Sequence, residues 1–135
     1  FKKATDRMIT FKGLKVAILG LTFKAGTDDL REAPSKDNVK LLIESGADNI
    51  YAYDPVGADN FKKLYPTEIH YVETPEEALK DANICFIFTE WGEIKAVKPE
   101  EYRKLMKTPL VYDGRNIYDV KEMKQNGIEY YSIGR

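Results

Sequence analysis

The sequence predicts an α/β fold, a doubly wound and mostly parallel six-stranded sheet with helices on both faces, and two observations carry that reading. Val16, Ala17, Ile18 and Leu19 form an unbroken apolar run, the pattern of a strand covered on both sides by helices rather than one that alternates between core and water. Beyond it, short apolar runs alternate with amphipathic stretches to the end of the chain. Strands joined through helices imply right-handed crossovers and parallel neighbours.

At the amino-terminal end, Ala4, Met8 and Phe11 recur at helical spacing and Gly13 stands where a helix C-cap glycine would. Residues 1–13 therefore read as the end of a connecting helix that begins upstream, in keeping with a chain that starts at Phe1 rather than Met. Residues 14–135 read as one domain. The first strand ends at Gly20 and empties into a long polar loop carrying Lys24, Asp28, Asp29, Arg31 and Glu32, more charge than a strand-to-helix connector of about two to six residues needs. Ser35 then suits an N-cap, and Val39, Leu42 and Ile43 make an apolar stripe that ends at Gly46.

A second strand is expected over Asn49 to Asp54, followed by a short helix with Phe61, Leu64 and Tyr65 on one face and a strand near Ile69 to Val72. Thr74 before Pro75, Glu76 and Glu77 marks a helix start, because proline suits the first helical position and acids favour the positive end of the helix dipole. Ile84 to Thr89 is the most apolar strand and belongs at the sheet centre. Pro99 opens a helix with Tyr102, Leu105 and Met106 facing inward, Leu110 to Asp113 is a fifth strand, Asp119 caps a helix ending at Gly127, and Ile128 to Tyr131 is a sixth strand.

Composition narrows the function. A chain of 135 residues with 43% hydrophobic and 32% charged residues can bury a core of ordinary domain size and stay in solution. Lys and Arg number 21 against 22 Asp and Glu, so nothing in the balance points to nucleic acid or an anionic membrane. No apolar stretch approaches the roughly 18 residues of a membrane span. The single cysteine, Cys85, cannot form an internal disulfide. These features suit the cytoplasm.

Several chemistries fail on spacing. A dinucleotide fingerprint needs Gly-x-Gly-x-x-Gly after the first strand, but Gly20 is followed by Leu21, Thr22 and Phe23 with no further glycine until Gly26. The pattern is thus Rossmann-like without the fingerprint. Asp54 ends the second strand where a ribose-binding acid would sit, yet it lies well past the roughly twenty residues that motif sets. Gly26 is followed by Thr27, which excludes a phosphate-binding P-loop. One His and one Cys make a metal site improbable: His70 reads as a surface or packed side chain, and Cys85, between Ile84 and Phe86, as an inert core thiol.

What remains is a set of polar residues at strand ends. The first strand delivers Phe23 and Lys24 and later Arg31; the fourth ends in Thr89, Glu90 and Trp91; the fifth ends in Asp113, Gly114 and Arg115. A parallel sheet brings all of these to one edge, where open α/β sheets bind ligands. Two separated cations and an aromatic ring there suit a phosphorylated ligand, since Arg offers a fork of donors and Lys a point charge. The same charges also fit a solvated loop with local ion pairs, and spacing alone leaves the two readings even.

At these residues the sequence resembles a known family. GLTFKAGTDDLREAPS (Gly20 to Ser35), YDP (Tyr53 to Pro55), TEW (Thr89 to Trp91) and DGRN (Asp113 to Asn116) are similar to the C-terminal domain of the UDP-glucose/GDP-mannose dehydrogenases. The closing YYSIGR, Tyr130 to Arg135, resembles the bacterial and archaeal UDP-glucose 6-dehydrogenases among them. The resemblance spans essentially residues 10–135. It implies part of an enzyme that oxidises a nucleotide sugar's primary alcohol to a carboxylate, UDP-glucose to UDP-glucuronate, with two NAD reduced in succession. It implies partners too: an N-terminal domain that holds NAD, a central helical region that supplies the catalytic cysteine, and a homodimer.

Carried over position by position, Phe23 and Lys24 match family residues that contact the nucleotide sugar, and Arg115 matches an arginine that reaches the same ligand. Arg31 matches one that approaches NAD from the opposite wall of the cleft. No catalytic residue is expected in this chain, and Glu90 and Trp91 fit a structural lip as well as a ligand contact. Ala25 and Ala33 stand where relatives often have Pro and Ser. The alternatives are the same domain of a UDP-N-acetylmannosamine or GDP-mannose dehydrogenase, or a non-enzymatic receiver-like module. Against a receiver, no acidic pair directly follows the first strand and no lysine ends the fifth.

Overall fold

The computed structural model describes residues 13–21, 34–55, 58–89 and 91–132. Six strands form one sheet: β1 (Val16–Leu19), β2 (Ile50–Tyr53), β3 (Ile69–Tyr71), β4 (Ile84–Ile87), β5 (Leu110–Asp113) and β6 (Glu129–Ser132). Their order is β3-β2-β1-β4-β5-β6 and every pairing is parallel. This is the doubly wound dinucleotide-fold order. β4 pairs with β1 in the middle of the sheet, as its apolar composition predicts.

The helices are α1 (Pro34–Glu44), α2 (Ala58–Leu64), α3 (Pro75–Leu79), α4 (Gly92–Lys95), α5 (Pro99–Leu105) and α6 (Val120–Gln125). The two-residue pleat of the strands sorts the core into two layers. Val16 and Ile18, Ile50 and Ala52, and Ile84 and Phe86 pack with Val39 and Leu42 of α1 and Phe61 of α2. Ala17, Leu19, Cys85, Ile87 and Val111 pack on the other face with Leu79 of α3, Ile94 of α4, Tyr102 of α5 and Met123 of α6. Right-handed crossovers explain the division: the chain winds outward from β1 to β3, returns to β4, and winds the opposite way to β6.

Local signals behave as their chemistry requires. Thr74 accepts the Glu77 amide at 3.2 Å and Asp119 accepts the Glu122 amide at 3.0 Å, so both caps form. The Lys15 ammonium reaches the Lys80 carbonyl at 2.5 Å just beyond α3, and also lies 4.2 Å from the centroid of the Tyr51 ring. His70, an exposed side chain, stacks on the same Tyr51 ring with centroids 4.6 Å apart.

Three details differ from the sequence reading. α1 begins at Pro34, so Ser35 lies inside its first turn and is not the N-cap; proline's fixed φ suits that opening position. Leu64 is 49% exposed rather than facing inward, because α2 ends there and only Phe61 and Tyr65 reach the core. α4 was hidden in a four-residue segment too short to show a helical period.

Candidate functional site at the carboxyl edge of the sheet

The winding direction reverses between β1 and β4, which opens a crevice beyond their carboxyl ends. The two strands leave the sheet in close contact there. Gly20 has φ +91°, and a Cβ on it would stand 2.5 Å from the Thr89 Cβ and 2.6 Å from the Thr89 nitrogen. Only glycine combines that left-handed backbone with that approach. The Gly20 amide still donates to the Tyr53 carbonyl at 2.8 Å, so the ladder is kept while the chain turns away.

Asp54 directly follows β2 and is 5% exposed. Its Oδ2 accepts the Leu21 amide at 2.8 Å and the Trp91 indole Nε1–H at 3.0 Å. A carboxylate so occupied joins the exits of β1, β2 and β4 at one atom, and it stabilises them because a buried charge must be hydrogen-bonded. The ribose-binding position considered for Asp54 is thereby used for structure. Trp91, 9% exposed, packs with Tyr53 and Ile94 in the second core layer, which supports the lip reading of this residue.

Asp113 ends β5 and is 2% exposed. Its Oδ1 accepts the Arg115 amide at 2.9 Å; its Oδ2 accepts the Ile117 amide at 2.8 Å, the Tyr118 amide at 3.3 Å and the Tyr130 hydroxyl at 2.6 Å. The Asp113-to-Tyr118 turn is thus wound around one carboxylate, with Asn116 in the left-handed region at φ +55°. Asp-Gly at a strand end favours this arrangement, since Asp side chains bond their own following amides. Arg115 is carried on a turn whose backbone is fixed before any ligand arrives.

Tyr118 extends the network. Its hydroxyl lies 2.9 Å from the Ile94 carbonyl and 2.7 Å from the Val97 carbonyl, and it accepts from Tyr102, 2.8 Å away. Burial pushes the Tyr118 and Tyr102 phenols well above their ordinary value, so both remain protonated donors. Burial likewise pushes the Cys85 thiol well up, with the Asp113 carboxylate adding to it. Cys85 is fully buried in β4, as expected of a core thiol.

Of the predicted site residues, the structure puts Arg115 at the carboxyl edge, partly exposed. Phe23, Lys24, Arg31 and Glu90 lie outside the described residues. Sequence reading missed the roles of Asp54, Asp113, Tyr118 and Tyr130. The signals were present in part: a strand-end Asp before Pro55 or Gly114 is turn chemistry. Nothing in the spacing says that Tyr130 meets Asp113 across two strands.

Comparison with known proteins decides the family. The UDP binding domain of the UDP-glucose/GDP-mannose dehydrogenase family matches residues 17–120. The chain belongs to that family. UDP-glucose 6-dehydrogenase YwqF of Bacillus subtilis (strain 168) is 44% identical over 133 residues, covering 98% of this chain and 30% of its own length. Among solved structures, the NDP-N-acetyl-D-galactosaminuronic acid dehydrogenase of Methanosarcina mazei Go1 superposes with TM-score 0.80 at 25% identity, covering 99% of this chain and 27% of its own. The UDP-glucose dehydrogenase of Pyrobaculum islandicum gives 0.75 at 28%, covering 98% and 28%. This UDP-binding domain therefore spans under a third of the length of each relative. YDP and DGRN, two of the motifs that carried the resemblance, contain the two buried aspartates that shape its carboxyl edge.

Proposed function

We propose that this domain binds the nucleotide sugar of an NAD-dependent UDP-glucose 6-dehydrogenase, which oxidises UDP-glucose to UDP-glucuronate with two NAD reduced. The observation that carries the reading is the Arg115 turn, preformed around Asp113 at the sheet edge where α/β folds take ligands. In this reading Phe23, Lys24 and Arg115 hold the UDP moiety: the cations neutralise the pyrophosphate and Phe23 offers an apolar surface. Arg31 faces NAD across the cleft.

Residues 1–13, of which only Gly13 is among the described residues, would connect this domain to its partners. NAD and the catalytic cysteine belong to the N-terminal and central domains of the same enzyme, which we place in the cytoplasm as a homodimer. Closing one domain on the other excludes water from the reaction. Two observations favour that division of labour. Cys85 is buried and its thiol pKa is raised, the opposite of a nucleophile's setting. The first strand is followed by Gly20 alone rather than by a cofactor fingerprint.

The test is a pair of variants in the full-length enzyme. Arg115→Ala should raise KM for UDP-glucose about tenfold or more, and Arg31→Ala should do the same for NAD, each arginine supplying a charged hydrogen bond of about 1.5 to 3 kcal/mol. Equal effects on both substrates would overturn the assignment.

A further inference from the structure

A thread of hydrogen bonds runs along the carboxyl edge from the exit of β1 at Leu21 to the Arg115 turn. It begins at the Leu21 amide, passes through Asp54 Oδ2 to the Trp91 indole, and continues where the Trp91 carbonyl accepts the Ile94 and Lys95 amides at 3.1 and 3.0 Å. The Ile94 carbonyl of α4 and the Val97 carbonyl just beyond it accept the Tyr118 hydroxyl, the Tyr118 amide donates to Asp113, and Asp113 accepts the Arg115 amide. Leu21, at the exit of β1, lies at one end and the Arg115 turn at the other.

The geometry points to Trp91 and Tyr118 as positioning residues, which tie the exit of β1 at Leu21 to the Arg115 turn, so that the turn's hold on a nucleoside diphosphate depends on both. This rests on the proposed function. Neither residue need touch the ligand. Trp91 sets where the chain leaves β1, because its indole shares one carboxylate oxygen with the Leu21 amide. Tyr118 sets how far the Arg115 turn stands from α4, because its hydroxyl is fastened to that helix while its amide is fastened to Asp113. Helix α4 is the strut between them. Its four residues make it short enough to transmit a shift at one end to the other.

The experiment uses the full 135-residue chain with UDP as probe, and the sequence supplies a reporter in its single tryptophan. Trp91→Phe removes the indole donor and Tyr118→Phe removes the hydroxyl donor, each nearly isosteric. Each should weaken UDP binding about threefold to tenfold, and the double variant should bind little worse than either single one, because either break uncouples the same two ends. Ile128→Val, a core change away from the thread, should lower thermal stability and leave UDP affinity unchanged.

Amide spectra read the coupling without ligand. Trp91→Phe should move the Arg115 amide resonance, and Tyr118→Phe should move both the Leu21 amide and the Trp91 indole resonance. Wild-type binding of UDP with unaltered affinity in both variants would overturn the inference, as would fully additive losses. Should the wild-type chain bind no UDP, the proposed function fails, and the inference then stands or falls on whether the distant amides move.

Discussion

Asp54 and Asp113 close β2 and β5 at the same edge of the sheet, and both are withdrawn from water, yet their donors come from different places. Asp54 spends one oxygen on two groups far away in sequence, the Leu21 amide and the Trp91 indole. Asp113 gathers three amides from the five residues after it and adds the Tyr130 hydroxyl. The first carboxylate fastens separate loops together; the second moulds one loop. Removing the first should loosen the relation between two halves of the sheet, whereas removing the second should dissolve the turn that carries Arg115.

The largest effect should follow Asp113→Ala, which takes the acceptor from three amides and leaves the Tyr130 hydroxyl only the Tyr118 carbonyl at 3.2 Å. At about 1 to 3 kcal/mol for each unsatisfied buried donor, reduced because a surface turn can relax toward water, a loss of about 4 kcal/mol is expected in denaturant unfolding. Asp54→Ala takes the acceptor from the Leu21 amide and the Trp91 indole, and these two losses should cost about 2 kcal/mol. A loss for Asp54→Ala equal to or greater than that for Asp113→Ala would break the contrast.

Alkaline pH probes buried thiol and phenol groups on both sides of the contrast, since burial also raises Tyr53, next to Asp54, and Tyr71. Cys85, Tyr102 and Tyr118 all titrate above their ordinary values, with burial as the first cause and the Asp113 carboxylate a further one. Groups whose folded pKa is raised stabilise fully below their unfolded pKa, and that contribution is lost as pH rises above it, because the unfolded chain then releases protons the folded one keeps. Melting temperature should be level to about pH 8 and fall through about pH 9 to 11. A flat profile to pH 11 would show that these groups are not shielded. Tyr130→Phe should have the smallest effect, about 1 kcal/mol, since Asp113 keeps its three amides. Its sharper consequence is local: the Ile117 and Tyr118 amides should exchange faster with solvent while those beside Asp54 do not change.

The contrast also explains what the sequence could reveal. The sheet was legible because periodicity and apolar runs report burial: the run from Val16 to Leu19 is buried throughout, and the strand beginning at Ile84 lies at the sheet centre, as read. Caps at Thr74 and Asp119 were legible because each acts on residues three positions away. The Asp113 turn was half legible, its Asp-Gly-Arg-Asn string being local turn chemistry, while the Tyr130 hydroxyl that completes it arrives from the next strand. The Asp54 tie was illegible. Its partners lie 33 and 37 residues away, and no local pattern encodes a meeting that only the strand order creates. Arg115 was recognised from a motif, and the structure supplies the physical reason for its neighbours: Asp113 fixes the turn that presents it.

The central claim is that the carboxyl edge, at the Arg115 turn, is where this domain meets UDP, and a titration of the 135-residue chain with UDP, followed by backbone amide shifts, tests it most directly. The Arg115 turn is preformed around Asp113, but the 135-residue chain would meet UDP without the N-terminal domain proposed to oppose it, and exposed ion pairs contribute only about 0 to 1 kcal/mol each. A dissociation constant on the order of 1 mM or weaker is expected, weakening further as added salt screens the charges. The largest shifts should fall at residues 22–26 and 113–116. Shifts centred on Asp54 with NAD, and none with UDP, would contradict the account and make this a cofactor domain.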